Sequence, residues 1–210
     1  MPDHTPITPA RPDAPKRPVL YFIRHGETDW NREGRLQGSQ DIPLNALGRK
    51  QAEKVGGHLR DLIGQEADRL TWHVSPMDRA VETLRLARRA IGLPDSGYRV
   101  EPRLTELCFG TWEGLTWREV RKSDPARASG RDADKWGYVP PGGESYAMLL
   151  DRVMPFFDSL TEPAIVVAHG GVARTVLVAL AGMDTQEAAL VDIWQGRLLV
   201  FENGGARWVP

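Results

Sequence analysis

Cysteine is almost absent from this chain: of 210 residues only Cys108 carries a thiol. A single thiol excludes an internal disulfide, and a cytoplasmic location is the simplest expectation. Long apolar runs are missing as well. The longest, Val176 to Ala181, spans six residues, far short of the roughly 20 that cross a bilayer, so no membrane partner is expected. The opening stretch, MPDHTPITPARPDAPKRP, has no apolar segment of the kind a secretory signal needs. Neither charge sign dominates, with 27 Lys plus Arg against 28 Asp plus Glu. No global field therefore recruits nucleic acid or an anionic surface. HExxH, Walker A and paired Asp-rich metal motifs are absent too. Any anion this chain binds must be held locally.

What is present is proline early and α/β alternation later. Pro6, Pro9, Pro12, Pro15 and Pro18 recur every three residues, the repeat of a polyproline II helix. Residues 1–17 are expected to be a disordered extension, and 18–210 a single folded domain. PVLYFI (18–23), LTWHV (70–74) and PAIVVA (163–168) read as buried strands. Each precedes a helix signal. Asn45 fits a cap for a helix reaching Ile63, in which Ala52, Val55, Leu59 and Leu62 recur at helical spacing. Ser75, Pro76 and Asp78 fit the cap, first and third positions of a second helix. A third helix is expected over 172–181. A fourth is expected from Glu144 to Leu160, with Pro155 kinking or splitting it. The tail reads as strands turning at Gln195-Gly196 and Asn203-Gly204. Strands alternating with helices argue for an open, mainly parallel α/β sheet, with ligands outside the carboxyl ends of its strands. The stretch 108–143, rich in tryptophan, glycine and arginine, is expected to pass over that end.

Four polar residues fall where strands or short turns deliver them to one crevice: Arg24 and His25, Arg79, and His169. Glu106, in RLTELCFGTWEG, is a fifth candidate. Two arginines and two histidines make an anion site, and phosphate suits the guanidinium fork. A lone histidine at a strand end is usually structural, but each of these is followed by glycine, which lets a ligand approach closely. Arg79 is out of place at the positive end of a helix unless an anion lies nearby.

RHGETDWN with LQG, PLNALGRKQA, SPMDRAVET, ELCFGTWEG, PGGES and VVAHGG resembles, in this order, the motifs of the histidine phosphatase superfamily. The resemblance is to the branch holding cofactor-dependent phosphoglycerate mutase and small phosphomonoesterases, and it runs from Val19 to Thr175. It implies a three-layer α/β/α sandwich of the phosphoglycerate mutase type. It further implies that His25 becomes a phosphohistidine, that Arg24, Arg79 and His169 bind phosphoryl oxygens, and that Glu106 donates a proton to the leaving oxygen. Asn31 matches a phosphate contact, Thr28 and Gln37 match positions near the pocket, and Gly170 belongs to the second motif. That motif is His-Gly here, which argues against the His-Asp branch of acid phosphatases and phytases.

The expected activity is hydrolysis of a small phosphomonoester without metal or cofactor, because at an effective dielectric near 20 each close cation is worth on the order of 4 kcal/mol. Glu113 is read as structural, Glu27 as loop support, and Cys108 as packing, since Gly114 occupies the arginine position of a C-x5-R loop. Trp136 and Tyr138 are open between packing and substrate contact. Phosphoglycerate mutase is the alternative, kept open by Arg118, Arg121, Lys122, Arg127 and Arg131. A phosphoprotein phosphatase or a phosphate-binding module is a third reading, although such a module would usually lose one of the five key side chains. A homodimer is compatible with the sequence.

Overall fold

The structure, a computed structural model, describes residues 6–209. Its elements run β1 (Pro6–Thr8), β2 (Leu20–Arg24), α1 (Asp29–Glu33), α2 (Ala46–Ile63), α3 (Glu66–Arg69), β3 (Thr71–Val74), α4 (Asp78–Ala90) and β4 (Tyr98–Val100). They continue with α5 (Trp117–Ser123), α6 (Pro125–Ala133), α7 (Tyr146–Phe157), β5 (Ala164–Ala168), α8 (Gly170–Ala181), α9 (Thr185–Ala188), β6 (Leu198–Glu202) and β7 (Gly205–Val209). Among the described residues seven strands form one sheet, in the order β1-β7-β6-β2-β5-β3-β4. Strands β2, β5, β3 and β4 are parallel neighbours, whereas β6 joins β2 antiparallel and carries β7 and β1 beyond it in antiparallel pairs.

Side chains alternate across this sheet with a period of two, and that alternation sorts the core into two halves. Ile165 and Val167 of β5 pack with Ile23, Trp72 and Val74 against Val55 and Leu59 of α2 and Ala80 and Leu84 of α4. Val166 and Ala168 face the other way, with Phe22 and Leu199, onto Leu149 and Val153 of α7 and Val172 and Val176 of α8. The result is an α/β/α sandwich. All five residues of β5 are buried, and at about 1.5–3 kcal/mol for each large apolar side chain that strand anchors both halves. No described helix is long and apolar enough to cross a membrane.

The Asn45 cap forms as expected, its side chain accepting from the Gly48 N–H. Ser75 does not cap. Helix α4 starts later, at Asp78, with Met77 in the cap position and no side-chain cap bond. Asp41 takes over part of that task, since its carboxylate accepts from the Asp78 N–H at 2.6 Å. Pro155 lies in the last turn of one unbroken α7, so the helix is not split there, and the proline leaves only the Asp151 carbonyl without its i→i−4 donor.

Within the stretch expected to be an extension, a short strand is present. Pro6–Thr8 forms β1 against β7. Thr8 Oγ1 then accepts from the Ala206 N–H at 2.9 Å, and the Arg11 N–H donates to Asn203 O at 2.8 Å. The open edge of β7 offers these partners, which composition alone does not reveal. Residues 1–5 of the expected extension lie outside the described residues. The stretch 108–143 is folded around α5 and α6, and Thr116 with Glu119 makes a capping box at the start of α5.

Candidate active site

Parallel register builds the site. Arg24 pairs with Ala168, so β2 and β5 end together. Beyond those ends the His25 N–H donates to Ala168 O at 2.9 Å, and the Ser75 N–H donates to Val167 O at 3.0 Å. His25, His169 and Ser75 are thereby delivered to one place. The two imidazoles sit with ring centroids 5.2 Å apart and planes inclined by 59°. Gly26 has to be glycine for this packing, because a Cβ there would strike the backbone of Gly48 at the start of α2. Its N–H donates to Thr83 Oγ1 at 3.0 Å, whose hydroxyl in turn donates to Arg79 O at 2.7 Å. Thr83 thus couples the His25 turn to the helix carrying Arg79.

The protonation of His25 follows from its partner. Nδ1 lies 2.8 Å from Gly26 O, and a carbonyl only accepts, so the ring proton resides on Nδ1 and Nε2 keeps its lone pair. Burial first, then Arg79 and Arg24, holds the His25 pKa well below the usual histidine range. The group is neutral at physiological pH. His169 is likewise held well below that range, by burial and then by Arg79, His25 and Arg24. Its Nε2 is 2.7 Å from Ser75 Oγ, and its Nδ1 is buried without a partner.

The two arginines are fixed by backbone carbonyls. Arg24 Nη1 donates to Ile193 O at 2.7 Å; burial, then the charge of Arg174, pushes its pKa down to about 10, which leaves it cationic. Arg79 is fully buried and donates to Gln40 O at 2.6 Å and Gly38 O at 3.0 Å, with Asp41 at 3.4 Å. The Nε atoms of both arginines are buried without partners. An unpaired buried donor costs about 1–3 kcal/mol, so this set suits an oxygen-rich anion. Glu106 completes it: its carboxylate accepts from the Gly171 N–H at 3.0 Å and the Leu107 N–H at 2.8 Å, and its charge is felt by both Arg24 and Arg79.

The remaining predicted positions differ in kind. Thr28 is fully buried and engages Asn31 in a capping box at α1, so its hydroxyl places Asn31. Asn31 Oδ1 also accepts from Gln195 Nε2 at 2.9 Å. Gln37 is buried with Oε1 unpartnered, in the loop whose carbonyls hold Arg79. Gly170 opens α8, and a Cβ there would lie 3.4 Å from Arg174 Nη1 and 3.5 Å from Arg24 Nε. Trp136 stacks on Tyr146 with centroids 5.5 Å apart, and Tyr138 stacks on Trp112 at 5.8 Å. Glu113 accepts from the N–H and hydroxyl of Ser39 and from the Phe109 N–H, and Glu27 accepts from Asn45. Burial pushes the Cys108 thiol up.

Sequence reading missed several supports. Ser75 was hidden by the local capping pattern. Arg152 donates to the carbonyls of Arg103, Thr105 and Glu106 while pairing with Glu144 at 2.7 Å, which staples the turn carrying Glu106. Arg174 donates to Val191 O at 2.9 Å beside the Ile193 carbonyl that holds Arg24. Carbonyl acceptors are common to every residue and leave no mark in a sequence.

The sequence profile of the histidine phosphatase superfamily (branch 1) matches residues 20–209. The chain belongs to that family. This histidine phosphatase is 32% identical over 203 residues to a glucosyl-3-phosphoglycerate phosphatase of Mycolicibacterium vanbaalenii, covering 90% of this chain and 82% of the relative. It is 29% identical over 192 residues to a 2,3-bisphosphoglycerate-dependent phosphoglycerate mutase of Cytophaga hutchinsonii, covering 88% and 87%. Among solved structures, the α-ribazole phosphatase of Shigella flexneri superposes with a TM-score of 0.74 at 28% identity, covering 90% of this chain and 93% of that one. In the histidine phosphatase described here, Arg24, His25, Arg79, Glu106 and His169 lie close enough for their charges and rings to interact.

Proposed function

We propose that this histidine phosphatase hydrolyses the phosphomonoester of a small metabolite without a metal, through a phosphohistidine at His25. One observation carries the reading: His25 is neutral, its proton is committed to Gly26 O, which leaves Nε2 its lone pair, and its ring feels the charges of the buried Arg79 and the half-buried Arg24. That is a prepared nucleophile beside a prepared anion site.

The first step forms an Nε2–P bond in line as the ester P–O bond breaks. Arg24, Arg79 and His169 meet the equatorial oxygens, and Glu106, protonated, passes its proton to the leaving oxygen. In the second step the Glu106 carboxylate takes a proton from water, the water oxygen bonds to phosphorus, and the P–N bond breaks. Two guanidinium groups and one imidazole N–H supply the positive field that a metal would otherwise bring, and this supports the metal-independent reading. The relatives named above support a phosphorylated metabolite as substrate.

Phosphoglycerate mutase is the second reading, and Arg131 favours it. Of the basic residues in α5 and α6, Arg121 pairs with Asp132 and Arg127 with Asp124 on the surface, whereas the Arg131 side chain is 12% exposed, reaches Asp132 at 3.9 Å and lies 3.9 Å over the Trp117 ring. Assay of p-nitrophenyl phosphate separates the two. Phosphate release unaffected by a chelator, blocked by vanadate and reduced by several orders of magnitude in His25→Ala is the expected result. Interconversion of 3- and 2-phosphoglycerate with no free phosphate would overturn it.

A further inference from the structure

The local sequence pattern assigns Ser75 to a helix cap, but its hydroxyl meets the second histidine instead. Ser75 is fully buried, and its backbone is pinned to β5 through Val167 O. Two groups approach its Oγ. The Met77 N–H donates to it at 3.4 Å, and His169 Nε2 lies at 2.7 Å. Met77 N–H can only donate, and among the described residues no carbonyl or carboxylate accepts from this hydroxyl. If His169 Nε2 also donated, the serine proton would be buried with no acceptor, a state folded proteins avoid. The hydroxyl therefore donates to Nε2. Neutral His169 then carries its proton on Nδ1, the nitrogen that is buried without a partner.

We propose that Ser75 is a positioning residue that sets the tautomer of His169, so that Nδ1–H is offered as a donor to the transferred phosphoryl group. This rests on the phosphohistidine reading above. Phosphoryl oxygens only accept, so the other tautomer would turn a lone pair toward the anion and replace an attraction with a repulsion. The two imidazoles are held in the same Nδ1–H form for opposite ends. At His25 the bond to Gly26 O consumes Nδ1–H and frees a lone pair for attack; at His169 the bond to Ser75 consumes the lone pair and frees a proton for binding.

The test reads the side-chain nitrogen-15 shifts of His169, together with vanadate inhibition, in wild type, Ser75→Ala and Ser75→Thr. In wild type at pH 7.5, Nδ1 should show the protonated shift and Nε2 the unprotonated one. Ser75→Ala should mix the tautomers and raise the vanadate inhibition constant by about 10- to 100-fold, the range expected for losing one buried donor to an anion. Ser75→Thr, which keeps the hydroxyl, should restore both. A wild-type His169 protonated on Nε2, or a Ser75→Ala variant with unchanged tautomer and unchanged vanadate inhibition, would overturn the proposal. Should Ser75→Ala fail to fold, Ser75→Cys, with a much weaker donor, carries the same readouts. The shifts require no turnover. Ser75-dependent Nδ1–H in an enzyme that releases no phosphate would therefore uphold the tautomer assignment and sink the hydrolase reading alone.

Discussion

Alanine at position 171 places one methyl group against the proposed acid. Gly171 is the second residue of α8 and is not among the positive-φ glycines, so its backbone tolerates a side chain. In a helix that exchange alone gains roughly 0.5–1 kcal/mol. Space is the obstacle, since a Cβ on Gly171 would overlap Glu106 Oε1 and approach Leu107 Cβ at 3.1 Å and Leu149 Cδ2 at 3.2 Å. Oε1 is the oxygen that accepts from the Gly171 and Leu107 N–H groups. The flexible carboxylate yields before the packed helix does, and it forfeits at least one hydrogen bond of about 1.5–3 kcal/mol. If that loss is felt in the transition state, kcat/KM falls about 10- to 100-fold. Steady-state hydrolysis of p-nitrophenyl phosphate alongside thermal unfolding reads both sides of the expectation. Activity should drop by that factor while the unfolding midpoint moves by only a few degrees. Activity within twofold of wild type would refute the placement of Glu106 at the reacting centre, and a collapse of the midpoint would show that the fold, not the acid, absorbs the methyl.

Two further outcomes follow from the same geometry. Glu106→Gln removes proton transfer but leaves the Nε2 attack intact, so with a good leaving group such as p-nitrophenolate the phosphoenzyme should accumulate as an acid-labile label with a nitrophenolate burst; no label and no burst would count against both assigned roles. His25 and His169 remain neutral in the fold while the unfolded chain protonates near pH 6.5, so stability is full above that value and is lost as pH falls below it toward the depressed folded values. The slope reaches up to about 1.4 kcal/mol per pH unit for each histidine. Urea unfolding at pH 7.5 and 5.5 should show a steeper loss for wild type than for His169→Asn, and equal losses would contradict the depressed values.

Much of the architecture was legible because it is local or periodic. The apolar runs ending at Arg24 and Ala168, and the Asn45 cap with its helical spacing, need no distant partner to be recognised. The nearness of Arg24, His25 and His169 was legible from strand ends, and that of Arg79 from the helix start that follows β3. Ser75 was not. The serine-proline-aspartate pattern is a sound local cap, yet its hydroxyl answers to a histidine 94 residues away, and only the parallel register of β3 and β5 makes them neighbours. The strand at Pro6–Thr8 was hidden for a related reason, since such a short strand needs an open edge to pair with, and that edge is supplied by β7. In 108–143 the signal was present and unused, because Thr116 and Glu119 spell a capping box that announces α5.

The pairing of β1 with β7 bears on how this protein behaves in a crowded solution. An uncovered strand is a template for another chain's backbone, and β7 would be one, with Trp208 and Val209 buried along it. A cover strand normally passes the same problem outward. Here the described part of the cover, Pro6–Thr8, includes a proline, which has no N–H to offer a newcomer. Part of the proline-spaced leader thereby covers the edge of β7, the place where growth by strand addition would otherwise begin.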